Sequence, residues 1–128
     1  MPVGKYDALI QAAKEIRESA YAPYSGYQVG AALLGRDGRI FTGVNIESAS
    51  YPAGICAERS ALAAAVTAGV RKFTALAVYT EDGGAPCGLC RQALAEFGDM
   101  WIICAGSQSE PKSYALSALL PEAFQLKK

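Results

Sequence analysis

Residues 73–105, FTALAVYTEDGGAPCGLCRQALAEFGDMWIICA, contain the pattern that decides the fold. The apolar run Phe73–Thr80 predicts a buried strand, and the glycines and proline that follow it predict a loop. Cys87–Phe97 then predicts a helix that a glycine ends, and Met100–Ala105 predicts a second strand. A strand, a helix and a strand in this order predict two parallel strands of one sheet, joined by a crossover helix.

The residues before this unit add antiparallel strands and two more helices. Val29–Leu34 and Arg39–Val44 predict two strands joined by a Gly-Arg-Asp-Gly turn, which is a hairpin signal. Residues 4–20 place apolar side chains on one face of a helix, and Cys56–Ala68 is a second helical segment, rich in alanine. We therefore expect an α/β fold in which helices cover a mixed sheet.

The C-terminal part has weaker signals. We expect a short strand near Lys112–Tyr114 and a terminal helical turn around Leu119–Phe124. No repeat or linker interrupts the chain, and its 128 residues suit one domain, residues 1–128.

Composition excludes several classes of protein. Hydrophobic residues make up 52% and charged residues 19% of the chain, which is not a disordered composition. No apolar run approaches the roughly 18 residues of a membrane span, and no secretory signal is visible, so we expect a cytoplasmic protein without a membrane partner. The 12 basic and 12 acidic residues cancel, which disfavours nucleic acid as the main partner. Because there is no histidine, acid–base chemistry near neutral pH requires carboxylates, thiols, Lys or Tyr.

Three cysteines lie at predicted helix starts. Cys87 and Cys90 form a C-x-x-C pair in the first turn of one helix, and Cys56 begins the preceding helix. The positive end of a helix dipole lowers a thiol pKa and favours the thiolate that binds metal. Two helices that begin at one sheet edge can bring three thiolates to one Zn²⁺, and three protein ligands leave the fourth position for water, as in catalytic zinc sites.

Glu58 follows Cys56 by two residues. A C-x-E segment together with P-C-x-x-C is the pattern of zinc deaminases, in which the glutamate transfers protons and does not bind the metal. Zn²⁺ with three thiolates carries a net negative charge, so we expect nearby cations to offset it. Arg59 and Arg91 are the candidates, and Arg59 is predicted to hydrogen-bond a ligand thiolate.

Other interpretations of the cysteines stay open at this point. A C-x-x-C pair alone is also typical of redox proteins and of structural zinc sites, for which Cys104 could be the fourth ligand. Cys104 lies inside an apolar predicted strand, however, where a buried thiol behaves as a small hydrophobic group. Disulfides are not expected without a secretion signal.

Seven short stretches, in order, resemble the small homotetrameric cytidine deaminases, and an eighth resembles the end of those proteins. They are residues 22–25 (APYS), 29–33 (VGAAL), 38–43 (GRIFTG), 45–47 (NIE), 49–51 (ASY), 56–59 (CAER), 86–92 (PCGLCRQ) and 119–124 (LLPEAF). The resemblance implies a three-layer α/β/α fold with a mixed five-stranded sheet. It also implies hydrolysis of cytidine and deoxycytidine to uridine and deoxyuridine with release of ammonia, in pyrimidine salvage.

The resemblance assigns a role to each site residue. Cys56, Cys87 and Cys90 would bind one Zn²⁺ per subunit, and Glu58 would transfer protons. The other implied roles are Asn45 and Glu47 on the ribose hydroxyls, the backbone around Ala57 on the base, Arg59 on the thiolates, and Tyr51 and Phe124 at a neighbouring subunit's site. We expect a homotetramer whose sites are completed by neighbouring subunits.

One position departs from the family pattern. The family commonly has Phe followed by Pro or a basic residue where this chain has Tyr27 and Gln28. The Tyr27 ring could still stack on the sugar or the base edge, but its hydroxyl then needs a partner or water.

Two other enzyme classes share parts of this pattern. A blasticidin-type nucleoside-antibiotic deaminase has the same zinc motifs, but Asn45, Glu47 and Phe124 favour cytidine. A nucleic-acid editing deaminase needs a basic channel, which zero net charge disfavours. A third alternative is not an enzyme: a non-catalytic zinc-stabilised module has no deaminase activity, so Glu58→Ala would remove none.

Overall fold

A computed structural model of the protein describes residues 3–126. Its strands are β1 (Gly30–Gly35), β2 (Ile40–Val44), β3 (Phe73–Thr80), β4 (Trp101–Gly106) and β5 (Ser109–Ala115), and its helices are α1 (Asp7–Ile16), α2 (Ala57–Thr67), α3 (Gly88–Ala95) and α4 (Leu116–Leu119). Short 3₁₀ turns occur at Val3–Tyr6, Arg17–Ser19 and Tyr51–Ala53. None of the helices in this part of the chain is long and apolar enough to span a membrane.

The five strands form one mixed sheet in the order β2-β1-β3-β4-β5. β1 pairs antiparallel with β2 and with β3, and β4 pairs antiparallel with β5. β3 and β4 are parallel, in the register Ala75↔Trp101 to Thr80↔Gly106, as the strand–helix–strand pattern predicts. The predicted mixed sheet is confirmed.

Helices cover both faces of the sheet because its central strands carry apolar side chains on both sides. Leu76 and Val78 of β3 pack in one hydrophobic cluster with α2, α3 and α4. Ala75 and Ala77, which alternate with them, pack in the other cluster with α1. The result is the expected three-layer α/β/α arrangement.

The two ends of the chain differ from the sequence-based expectation. The predicted helix at residues 4–20 is α-helical only from Asp7 to Ile16, with 3₁₀ turns on either side. The strand expected near Lys112–Tyr114 is longer, Ser109–Ala115, and its alternating polar residues suit an edge strand.

The expected terminal helical turn is wrong in position. It occupies Leu116–Leu119 instead of Leu119–Phe124. Pro121 disfavours helical geometry at Leu120, whose φ and ψ are −138° and 71°. The turn is fixed earlier in the chain, where Asp99 Oδ1 accepts a hydrogen bond from the Ser117 amide at 2.9 Å.

Candidate active site

The three predicted metal ligands converge. Cys56 immediately precedes α2, Cys87 immediately precedes α3, and Cys90 lies in the first turn of α3. Their Sγ atoms all lie within 4.8 Å of one another, with Cys56–Cys87 at 3.7 Å and Cys87–Cys90 at 3.5 Å. Two helix N-termini thus present three thiols to one point, as the spacing predicts.

A glycine allows β2 to approach the helix that carries Glu58. A Cβ on Gly43 would lie 2.3 Å from the Ala61 amide nitrogen and 2.6 Å from the Ala57 carbonyl oxygen. Real Cβ atoms do not come so close to backbone, so only glycine permits this packing of β2 on α2. The contact fixes the first turns of α2 beside the sheet edge.

The electrostatics of the thiol cluster favour a thiolate at Cys56. Hydrogen bonds from the Cys90 thiol and from Arg59 lower the pKa of Cys56 to about 5, against the desolvation that opposes it. The pKa of Cys90 is raised, because it hydrogen-bonds the Cys56 sulfur and is buried. Arg59 Nη2 lies 3.6 Å from Cys56 Sγ. Three converging thiols that face a guanidinium are a donor set that fits Zn²⁺.

Glu58 is buried beside this cluster, with 5% of its surface exposed. Burial raises its pKa to about 7, and the negative Cys56 sulfur adds to the shift. Such a carboxyl group can gain or lose a proton near neutral pH, which is what general acid–base catalysis requires.

One cavity of about 680 Å³ brings most of the predicted site residues together. This volume is typical of a small-molecule site. Its lining includes Tyr27, Asn45, Glu47, Tyr51, Cys56, Ala57, Glu58, Arg59 and Cys87. Phe124 does not line it; the side chain is 69% exposed, and its carbonyl oxygen accepts a hydrogen bond from Gln92 Nε2 at 2.9 Å.

The two residues assigned to the ribose are held by hydrogen bonds of their own. Asn45 Oδ1 accepts from the Val29 amide at 2.9 Å, and Asn45 Nδ2 donates to the Tyr27 carbonyl at 2.8 Å. Glu47 Oε1 accepts from the amides of Tyr24 and Ser25 at 3.0 and 3.1 Å, and Oε2 accepts from the Ser25 hydroxyl. That hydroxyl, above all, lowers the pKa of Glu47, so the cavity has an ionised carboxylate at this position.

Two expectations about charged and sulfur groups have different outcomes. Arg91 was expected to offset charge on the thiolates, but its guanidinium donates to carbonyls: Nε to Pro86 at 2.7 Å and Nη1 to Leu119 at 2.8 Å. It therefore ties α3 to the loop before Cys87 and to the end of α4. Cys104 is buried in β4 and lies outside the three-cysteine group, which agrees with the expected small hydrophobic role and not with the alternative of a fourth thiol ligand.

Sequence reasoning missed two residues that hold the side chains of the cavity in place. Ser25 holds Glu47, and Asp82 accepts a hydrogen bond from the Tyr27 hydroxyl at 2.7 Å. Ser25 lies within one of the family-like stretches, which was a signal for it. Nothing in the sequence pointed to Asp82, which is separated from Tyr27 by 55 positions.

Comparisons with known proteins agree with this geometry. Residues 4–105 match the model of the cytidine and deoxycytidylate deaminase zinc-binding region. The chain is 46% identical to a cytidine deaminase from Sporosarcina psychrophila over 122 residues, which are 92% of this chain and 90% of that protein. The crystal structure of a cytidine deaminase from Burkholderia pseudomallei superposes with a TM-score of 0.87 at 48% identity, over 91% of this chain and 97% of that one. The crystal structure of a cytidine deaminase from Mycobacterium tuberculosis superposes with a TM-score of 0.82 at 38% identity, over 94% of this chain and 98% of that one.

Fold, thiol cluster and likenesses together define a zinc-dependent deaminase. More narrowly, the chain belongs to the family of the cytidine and deoxycytidylate deaminases.

Proposed function

We propose that the protein hydrolyses cytidine and deoxycytidine to uridine and deoxyuridine and releases ammonia. The observation that carries the proposal is one cavity in which Glu58 and the thiol cluster meet Asn45 and Glu47. Relatives of nearly the same length that bear the name cytidine deaminase support it.

In this proposal Cys56, Cys87 and Cys90 hold Zn²⁺. When bound, the ion supplies a Lewis acid that makes water nucleophilic near neutral pH. Glu58 takes one proton from the attacking water as the C4–O bond forms and passes it to N3. It then moves the remaining hydroxyl proton to the amino nitrogen, so that ammonia leaves as the C4–N bond breaks and the C4 carbonyl forms. Its raised pKa suits both directions of this transfer. Arg59 remains charged beside Cys56 and offsets the negative charge of the thiolates.

The cavity's charge favours a nucleoside without phosphate. Glu47 and Glu58 are the carboxylates of its described lining, and Arg59, which faces Cys56, is the one cation there. A 5′-phosphate would meet like charge and no free guanidinium. Asn45 and Glu47 offer a donor and an acceptor pair that suits ribose hydroxyls, the Tyr27 ring suits the sugar or the base edge, and the backbone at Ala57 suits the base.

The proposal includes a homotetramer of single-domain chains, residues 1–128, acting in cytoplasmic pyrimidine salvage. Phe124 would reach a neighbouring subunit's site, and so would Tyr51, which also lines the cavity of its own chain. Their exposure supports this, because 86% of Tyr51 and 69% of Phe124 lie open in the isolated chain. Large aromatic side chains so exposed are typical of surfaces that bind a partner.

Ammonia release from zinc-assayed protein tests the substrate class. The panel is cytidine, deoxycytidine, cytosine, cytidine monophosphate, adenosine and blasticidin S, and we expect turnover of the two cytosine nucleosides alone. Turnover of blasticidin S alone would identify an antibiotic deaminase. Equal turnover of the monophosphate would contradict the charge argument, and bound zinc without any turnover would indicate a non-catalytic zinc module.

A further inference from the structure

Tyr27 is held at three points. Its amide donates to Ser25 Oγ at 3.0 Å, its carbonyl accepts from Asn45 Nδ2 at 2.8 Å, and its hydroxyl donates to Asp82 Oδ1 at 2.7 Å. The first two contacts fix the backbone, which lies outside regular secondary structure. The phenol hydrogen bond holds the ring at its far end, and the residue is 38% exposed and lines the cavity.

Asp82 is itself firmly placed. Its Oδ1 also accepts from Thr80 Oγ1 and from the Gly84 amide, each at 3.1 Å. The Tyr27 hydroxyl above all, followed by the Thr80 hydroxyl, lowers the pKa of Asp82, so the acceptor is an ionised carboxylate at neutral pH. A hydrogen bond to an ionised acceptor is stronger than a neutral one.

The segment that carries Asp82 is braced on its other side by the turn between β4 and β5. The Ser107 amide donates to the Thr80 carbonyl at 3.3 Å, and the Gln108 amide donates to the Glu81 carbonyl at 3.2 Å. Asp82 is thus a well-anchored acceptor for the Tyr27 hydroxyl. Thr80 and Gly84, its hydrogen-bond partners, line the same cavity as Tyr27.

We propose that Asp82 is a positioning residue that holds the Tyr27 ring in the orientation that meets the nucleoside. The inference rests on the proposed function. An aromatic side chain that is ordered before binding loses less conformational entropy when the ligand arrives. The benefit belongs to binding and not to the chemical step, so removing the hydrogen bond raises KM and leaves kcat nearly unchanged.

Kinetics of Tyr27→Phe, Asp82→Asn, Asp82→Ala and the Tyr27→Phe/Asp82→Ala double variant test this. We expect Asp82→Ala to raise the KM for cytidine about three- to tenfold, the range of one hydrogen bond, with kcat within about twofold. Asp82→Asn keeps an acceptor oxygen, so its KM rises less. Tyr27→Phe resembles Asp82→Ala, and the double variant resembles either single one, because each removes the same contact.

Asp37→Ala is the matched control. Asp37 is an exposed carboxylate in the β1–β2 turn that hydrogen-bonds Arg39, and its removal leaves KM unchanged. The proposal would be overturned if the rise in KM of the double variant equalled the product of the rises in Tyr27→Phe and Asp82→Ala. It would also be overturned if the KM of Asp82→Ala stayed within about twofold of wild type. A fall in kcat and zinc content at unchanged KM would also overturn it, since Asp82 would then only shape the loop before Cys87.

A spectroscopic readout follows the hydrogen bond without turnover. Burial raises the pKa of Tyr27, the Thr80 hydroxyl lowers it, and Asp82 raises it. In protein labelled with ¹³C at tyrosine Cζ, the Tyr27 resonance, assigned by its loss in Tyr27→Phe, should titrate at lower pH in Asp82→Ala. An unchanged titration would overturn the contact. Wild-type protein that deaminates no cytosine nucleoside overturns the proposed function, whereas active wild type with an unchanged Asp82→Ala KM overturns the positioning role alone.

Discussion

A chain without histidine needs another group to transfer protons near neutral pH, and Glu58, whose pKa burial raises to about 7, is the group we propose. An ordinary glutamate, with a pKa of about 4.3, would be ionised and a poor acid. The cavity has a second carboxylate, Glu47, whose pKa is lowered by the hydrogen bond from the Ser25 hydroxyl. The opposite pKa shifts of these two carboxyl groups support the two roles we propose, proton transfer for Glu58 and hydrogen bonding for Glu47.

Glu47→Gln should therefore weaken binding more than it slows catalysis. The substitution removes the charge that strengthens a hydrogen bond to a sugar hydroxyl, and we expect the KM for cytidine to rise roughly tenfold or more. Steady-state kinetics measure it, with the exposed Glu18→Gln as the control. An unchanged KM would show that Glu47 does not hold the ribose.

Residues near one another in sequence were predictable, and contacts between distant segments were not. Cys56 with Glu58, and Cys87 with Cys90, could be assigned because a single helical turn fixes their relation. The partner of the Tyr27 hydroxyl depends on how the loop after β3 packs, which local pattern does not encode. Arg91 was expected near the thiolates for its position after Cys90, yet its guanidinium reaches two carbonyls.

At the scale of elements, close packing of backbones sets the position of α2, the helix that carries Glu58. Gly43 lets β2 approach the first turns of α2, and Gly30 lets β1 approach α1, where a Cβ would lie 2.1 Å from the Ala13 carbonyl oxygen. Glycine in a strand is unfavourable by itself, so such positions are explained by the neighbouring backbone.

Gly43→Ala tests this packing. The added methyl must displace the α2 backbone, so we expect a loss of stability of at least about 1–3 kcal/mol and reduced turnover, since Glu58 lies on the displaced turn. Chemical denaturation and ammonia release measure the two effects. Gly4→Ala is the control because a Cβ there meets nothing within 4 Å. Wild-type stability in Gly43→Ala would contradict the close approach.

Asp99 joins the start of β4 to α4, and its contribution should depend on pH. Partial burial would raise its pKa, but hydrogen bonds from the Ser117 hydroxyl and amide and from the Met100 amide lower it. Because the folded-state pKa lies below the unfolded value of about 3.9, the stabilisation is present above that pH and is lost as the pH falls through the folded pKa.

We expect Asp99→Ala to lower the free energy of unfolding by about 1 kcal/mol at pH 7, and the difference from wild type to shrink below about pH 4. Denaturant titrations at both pH values measure this, with Ser117→Ala as a smaller change at the same contact. A difference that stays constant down to pH 2 would contradict the role of the ionised carboxylate.

The types of the elements were predictable through most of the chain, because strands inside the sheet are continuous apolar runs and glycines follow the ends of the helices. β3 begins and ends where its apolar run does. β5 was underestimated because an edge strand is half polar and contains Pro111, both of which weaken the strand signal. The α4 turn was displaced because its position depends on Asp99, which precedes it by seventeen residues in the chain.

At the scale of the whole molecule, α3, the helix that carries Cys90, also supports the C-terminal segment. Arg91 holds the Leu119 carbonyl and Gln92 holds the Phe124 carbonyl, so two residues directly after Cys90 fix the path of the tail. The Phe124 side chain then projects from the surface. This arrangement suits a tail that reaches a neighbouring subunit, as the proposed tetramer requires.

Mixed oligomers test that assembly. Phe124→Ala alone should raise the KM for cytidine, and Glu58→Ala alone should be inactive. If Phe124 acts in a neighbour's site, oligomers co-assembled from both variants contain some sites with an intact Glu58 and an intact Phe124, so low-KM activity returns. Kinetics identical to those of Phe124→Ala alone would contradict a shared site, and light scattering should give four chain masses.

The most direct test of the account compares wild type with Glu58→Gln at measured zinc content. We predict that both bind one zinc per chain through Cys56, Cys87 and Cys90, that wild type converts cytidine to uridine, and that Glu58→Gln loses at least about a hundredfold in kcat. Loss of activity with zinc retained would identify Glu58 as the group that transfers the proton. A Glu58→Gln variant that holds zinc and deaminates cytidine at the wild-type rate would contradict the account.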